Sequence, residues 1–435
     1  MLQRIHATYL IETRYPLDEA AAAMAGEQSS GTFRPLAMET PELITRFGAR
    51  VEGIEDLGEA SREALPLSRP PKGLLQARPR RARVHLSWSL ENTGTVLSTV
   101  WSTVLGNLFE LHHFSAMKLL ELTLPEEFAD AYSGPAHGVE GTRQLTGVVQ
   151  GPVIGTIIKP SVGLSVEQTA ELCHRLIVAG VDFIKDDELM GDPPHSPFAA
   201  RFEAVMSVID RYADRTGRQV MYAANISGDI DAMRRQLDLV ERRGGTCVML
   251  VLNSVGLSGV VEIRRHCRVA IHGHRAGWGM YSRSPDIGMS CAAYQTFWRL
   301  AGVDHLHVNG LSNKFCEPDD SVIASAKACL SPMFDRPGGR ADIVMPVFSS
   351  GQSAVQVEDT YARLGTDDLI HCCGGGIMTH PGGVEAGVRS LRQAWAAAAA
   401  GIPAREYARS HPELAAALAS FGVEATSSTA PAGAE

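Results

Sequence analysis

The chain has 435 residues, 45% of them hydrophobic and 20% charged, with a formal net charge of −9. Mean hydropathy is −0.03 and the isoelectric point is near 5.9. This length supplies a sizeable core and two domains, and the acidic balance argues against nucleic acid as a partner. No apolar run is long enough to cross a membrane and no charged-then-apolar leader is visible, so a cytoplasmic protein with no membrane contact is expected.

The first 135 residues read as α+β. "RIHATYLIE" alternates like a strand, and "PLDEAAAAMAGEQ" reads as a helix opened by Pro16. The basic run Ala77–Arg83 reads as a solvated loop. It leads into "ARVHLSWSL", a second alternating segment, and "FSAMKLLELTL" is a third. A small sheet with helices on one face, of ferredoxin-like type, is expected over residues 1–135.

From Gly151 the rhythm changes to apolar runs of strand length separated by helical segments. The runs are "VIGTIIKP", "GVDFIKDD", "QVMYAANIS", "TCVMLVLN", "RVAIHGHR", "VDHLHVNG", "IVMPVFSSG" and "LIHCCGGG". "SVEQTAELCHRLIVAG", with Ser165 as N-cap and Gly180 at the stop, is the clearest of the intervening helices. Near-continuous apolar strands alternating with helices indicate parallel βα units. Eight of them over roughly 240 residues fit a (βα)8 TIM barrel, assigned to residues 136–415. The small, polar residues 416–435 read as a disordered tail. The eight cysteines form no CxxC pair and read mostly as buried reduced thiols, Cys372 and Cys373 among them.

Lys159, Lys185, His274, His307, Ser349 and Gly374 all fall at the C-terminal ends of these runs, the face on which such barrels carry their active sites. In "FIKDDE", Lys185 and Asp187 face one side, Asp186 the other, and Glu188 lies just past the strand end. A buried lysine loses proton affinity, and its neutral amine can add CO2 to give a carbamate. Carbamate and two carboxylates make three hard oxygen ligands suited to Mg2+. Taken alone the stretch also reads as a solvated acidic cluster; its place at a barrel-strand end favours the metal.

Several motifs carry a family resemblance. "GTIIKPSVGLS" (155–165), "FIKDDE" (183–188), "HGHRAG" (272–277), "DHLHVNG" (304–310) with Lys314, "MPVFSSG" (345–351) and "GGGIMTHP" (374–381) occur in order. With "GEQSSGTF" (26–33) and "LGNLF" (105–109), they make the chain resemble the RuBisCO large subunit over about residues 5–410. The resemblance implies a carbamylated Lys185 holding Mg2+ with Asp187 and Glu188, and CO2 to form the carbamate. It implies Lys159 as the proton-exchanging lysine, His274 and His307 as site histidines, and Arg275 as a phosphate-binding arginine. Lys314 resembles the mobile-loop lysine and Ser349 the serine that contacts substrate hydroxyls. Gly351, Gly374 and Gly375 resemble the backbone donors around another phosphate. Glu27, Thr32 and Asn107 resemble residues that reach a neighbouring subunit's site, which implies a homodimer or larger.

The chain departs from the carboxylases at Ser161, Trp278 and Phe33, where they have lysine, histidine and tryptophan. It reads Val308-Asn309 where they have serine and glycine, and Ser350 where they have glycine. These changes speak against carboxylation of ribulose bisphosphate and for a RuBisCO-like protein. The expected activity is decarboxylation, or transcarboxylation with hydrolysis, of a 3-oxo acid sugar phosphate such as 3-oxo-isoapionate 4-phosphate, through a metal-bound enediolate. Alternatives are a methionine-salvage enolase or isomerase acting on a methylthio sugar phosphate, a true carboxylase, and a non-catalytic interaction protein.

Overall fold

The computed structural model describes residues 3–31, 36–334 and 342–422. Its strands in chain order begin with β1 (Arg4–Thr13), β2 (Arg50–Glu59), β3 (Arg80–Ser89) and β4 (Phe114–Thr123). Next come β5 (Val153–Ile157), β6 (Phe183–Lys185), β7 (Met221–Asn225), β8 (Cys247–Val251) and β9 (Ala270–His274). The last are β10 (Ile287–Met289), β11 (His305–His307), β12 (Met345–Phe348) and β13 (Ile370–Cys372). The chain divides into two units, residues 1–133 with 277–300 and residues 134–276 with 301–435.

The first unit holds a sheet in the order β10-β4-β1-β3-β2. The four early strands pair antiparallel, and β10 joins β4 in parallel. The order β4-β1-β3-β2, with helix Leu17–Glu27 after β1 and helix Leu97–Val104 between β3 and β4, is the ferredoxin-like split βαβ arrangement. Ile5, Tyr9, Ile11, Val84, Leu86 and Trp88 are buried, as the period-2 pattern requires. Tyr9 donates its hydroxyl to Val104 O at 2.6 Å, closing the end of the second helix. Arg80, Arg81 and Arg83 lie on β3 itself and not on a solvated loop. Arg83 meets Glu55 across the sheet at 2.9 Å, and Arg81 meets Glu12 at 2.8 Å and Asp286 at 2.7 Å.

In the second unit the eight predicted runs form a closed parallel barrel, β5-β6-β7-β8-β9-β11-β12-β13. Every second side chain enters the barrel. Val153, Phe183, Met221, Ala223, Met249, Ala270, Met345, Val347, Ile370 and Cys372 form one buried cluster there. Gly155 belongs to this layer because a Cβ would come within 2.9 Å of the Phe183 ring. One step on from these apolar layers, toward the C-terminal ends, the alternation delivers Lys185, Asn225, His272, His274, His307 and Ser349. At the opposite ends, Asp182 accepts from Ile154 N–H at 2.9 Å and Asp304 from Ile271 N–H at 2.8 Å, each stitching adjacent strands.

Helix Pro412–Phe421 runs past residue 416, where the sequence reading starts a disordered tail, because Leu414 and Ala417 bury on one side of it. Residues 423–435 of that tail lie outside the described residues. Among the described residues no helix is long and apolar enough to cross a membrane.

Candidate active site

Lys185, at the end of β6, and Asp187 are each only 1% exposed. The Lys185 amine donates to Asp186 O at 2.9 Å and lies 3.8 Å from the Glu188 carboxylate. Burial lowers its proton affinity, and the Glu188 and Asp187 carboxylates pull the other way without reversing the direction. Asp186 faces away and is bound by Tyr222 hydroxyl (2.7 Å), Asn225 N–H (2.9 Å) and Arg201 (3.4 Å). It therefore serves the scaffold.

The turn carrying the two acids is fixed by residues that sequence reasoning did not single out. Asn225 donates to Asp187 O at 3.2 Å and to Glu188 O at 3.3 Å. Buried Arg201 donates to Met190 O at 2.9 Å and Gly191 O at 2.6 Å. Lys159 spans the mouth, its amine 2.6 Å from Asp187 Oδ2 and 2.7 Å from Ser161 Oγ. His274 Nε2 stands 3.5 Å from Glu188 Oε2 while Nδ1 accepts from Ala276 N–H at 3.3 Å, which makes Nε2 the protonated nitrogen.

Among the described residues no three His, Cys, Asp or Glu side chains stand together as a metal set. Asp187 and Glu188 supply two oxygens, and the buried Lys185 amine, 3.8 Å from Glu188, would supply a third as a carbamate. That donor set fits Mg2+ and not a soft metal. Burial pushes the Cys372 thiol up to about 12, so it stays uncharged beside Lys185. Of the cysteines only Cys316 is exposed, and none is bonded to another.

A file of histidines crosses the barrel. Thr142 donates to Gly138 O and so accepts from His305 Nε2 at 2.8 Å. His305 Nδ1 then accepts from His272 Nδ1 at 3.4 Å, and His272 Nε2 from His307 Nε2 at 2.8 Å. His307 Nδ1 is left to accept from Ser349 Oγ at 3.0 Å. Burial pushes all three rings below their ordinary range, His305 to about 4, so the file is neutral and its polarity single. The Ser349 hydroxyl proton is committed to His307, which leaves the Ser349 oxygen as an acceptor.

Arg275 follows β9 and pairs with Glu317 at 2.5 Å, both side chains buried. Lys314 is exposed three residues before Glu317, its N–H on Ser350 O at 3.3 Å and its amine 5.3 Å from the Phe315 ring centre. Gly351 lies against it, at a positive φ of 83°. Gly374 precedes the short helix Gly375–Met378, whose first N–H groups have no intrahelical acceptor. A Cβ on Gly375 would meet nothing within 4 Å, so this corner is open to a ligand.

In the first unit, Asn107 Nδ2 donates to Glu27 Oε1 at 3.3 Å, bringing two sequence-predicted residues together. Thr32 and Phe33 lie outside the described residues. Trp278 also belongs to this unit and packs on Tyr294 with ring centres 4.6 Å apart.

The model of the ribulose bisphosphate carboxylase large chain N-terminal domain matches residues 3–128, and that of the catalytic domain residues 138–421. Over 419 residues the chain is 54% identical to the 3-oxo-isoapionate-4-phosphate transcarboxylase/hydrolase of Xanthobacter autotrophicus, covering 96% of this chain and 99% of that protein. It is 44% identical to the 3-oxo-isoapionate-4-phosphate decarboxylase of Rhizobium etli, covering 96% and 98%. The crystal structure of a rubisco-like protein from Burkholderia fungorum superposes with a TM-score of 0.90 at 48% identity, covering 96% of this chain and 100% of that one. The chain therefore belongs to the RuBisCO large-chain family, as a RuBisCO-like member.

Proposed function

We propose that this protein is a Mg2+-dependent enzyme that breaks the bond to the carboxyl group of a 3-oxo acid sugar phosphate such as 3-oxo-isoapionate 4-phosphate. The observation that carries the reading is a buried lysine beside two carboxylates at a barrel mouth. It occurs in a chain 54% identical, over 96% of its length, to a protein named for that substrate. Lys185 would take up CO2 as a carbamate, releasing one proton, and hold Mg2+ with Asp187 and Glu188. Bound there, Mg2+ would supply charge stabilisation to adjacent substrate oxygens.

The chain's own residues do the rest. Lys314 binds the departing carboxylate. The C–C bond would break with the carboxyl group leaving as CO2, its electron pair would pass toward the adjacent carbonyl, and Lys159 would deliver the proton that completes the product carbon. Ser349, its proton turned toward His307, accepts from a substrate hydroxyl. The N–H groups of Gly351, Gly374 and Gly375 hold the phosphate. Glu27, Thr32 and Asn107 would serve a neighbouring copy's site in a cytoplasmic homodimer or larger assembly.

The test is an NMR assay of 3-oxo-isoapionate 4-phosphate with Mg2+ and bicarbonate in deuterated buffer. Loss of the carboxyl signal from the substrate, as free CO2 or as a second carboxylated product, is expected, and Lys185→Ala abolishes it. An intact carboxyl group with deuterium exchange on a methylthio sugar phosphate would overturn the assignment.

A further inference from the structure

We propose that Glu317 makes this site selective for substrates bearing a single phosphate, by standing as a built-in anion where a second one would meet Arg275. The inference rests on the sugar-phosphate reading above and adds what limits the substrate's charge. A buried guanidinium at a barrel-strand end is a strong anion site, and here the chain fills it. Glu317 Oε2 accepts from Arg275 at 2.5 Å and from Asn309 Nδ2 at 2.7 Å, and Oε1 accepts from Ser321 at 2.9 Å. All three partners donate, so they suit the ionised carboxylate.

The arrangement is fixed from behind. Ser350 Oγ donates to Asn309 Oδ1 at 3.0 Å, which turns the Asn309 amide so that its NH2 faces Glu317. Asn309 and Ser350 hold φ of 64° and 73°, in the left-handed region that disfavours side chains. Both are positions at which the chain departs from the carboxylase pattern; their side chains bond each other, and Asn309 bonds the acid. Asn313 Nδ2 donates to Glu317 O at 3.2 Å and holds the backbone as well. A phosphate dianion at Arg275 would have to displace this carboxylate or lie against it, and like charges there are strongly unfavourable. The corner at Gly375, where a Cβ would meet nothing within 4 Å, would take the one phosphate.

Titration calorimetry of the Mg2+-loaded protein with ribitol 5-phosphate and ribitol 1,5-bisphosphate, neither of which has a carbonyl to react, tests this. Wild type should bind the monophosphate at least about tenfold more tightly, and Glu317→Gln should shrink that ratio by about tenfold. An equal or reversed preference in wild type overturns the proposal whether or not the variant folds, as does an unchanged ratio in a folded variant. If neither polyol binds wild type, the glycine phosphate site falls and this inference with it. If the carboxyl is lost from the 3-oxo acid phosphate while the bisphosphate binds as tightly, this inference alone falls.

Discussion

Asn225 spends its whole amide on backbone: Nδ2 donates to the carbonyls of Asp187 and Glu188, and Oδ1 accepts from Ser227 N–H at 3.0 Å. Rotation of that amide would place a carbonyl oxygen against two others, so the acids' backbone is held in one conformation. Thr142 acts similarly at a distance. Its hydroxyl, committed to Gly138 O, sets the direction of every bond in the histidine file up to Ser349. Thr142→Val should cost about 1–2 kcal/mol, since the His305 N–H loses its buried acceptor, read from urea midpoints. Nitrogen-15 spectra should show His307 as the Nε2–H tautomer in wild type and as a mixture in the variant; a pure Nε2–H form in both would locate the control elsewhere. Lys185, Asp187 and Glu188 were legible as a group because strand alternation and the strand end place them. His307 was legible in the same way, at its strand end, but its bond to His272 and the role of Glu317 have no local signature, since each depends on contacts across the barrel.

At the scale of elements, the barrel strands were readable because both of their faces are buried, which leaves long apolar runs with a polar residue at the end. β2 was not, because its pattern is charged and largely exposed. It is held by pairing with β3 and by ion pairs that reach across the sheet, and nothing in "RVEGIEDLGE" announces them. β10, three residues long, pairs with a strand that precedes it by some 170 positions. The strand starts carry their own acids. Asp304 receives Arg264 at 3.1 Å, Gly138 N–H at 3.0 Å and Ile271 N–H at 2.8 Å. Asp304→Ala leaves Arg264 charged and buried, and should destabilise the protein by about 3–5 kcal/mol in chemical denaturation. A loss below about 1 kcal/mol would show that water reaches the guanidinium.

For the whole molecule, the buried histidines predict its behaviour in acid. Burial holds His305 at about 4 and His371 at about 3, below the ordinary 6.5. The unfolded chain therefore takes up protons first. Stability is full above about pH 6.5 and falls as the pH drops toward the folded values, by about 2 kcal/mol for each of these rings at pH 5. His371, whose Nδ1 accepts from Trp395 Nε1 at 3.0 Å, lies outside the proposed chemistry. His371→Phe should reduce the loss between pH 7 and pH 5 by about 2 kcal/mol in urea unfolding. An identical pH dependence in the variant would mean that this ring titrates normally.

β10 also has a consequence in time. Residues 4–123 leave the ribosome before the barrel strands, yet the edge of β4 stays unpaired until residues 287–289 have followed, after β5 to β9 have been made. An open strand edge is a template for pairing with other chains. The N-terminal sheet is thus completed only after five of the barrel's strands have been made, and until then its β4 edge must be kept from pairing with other chains.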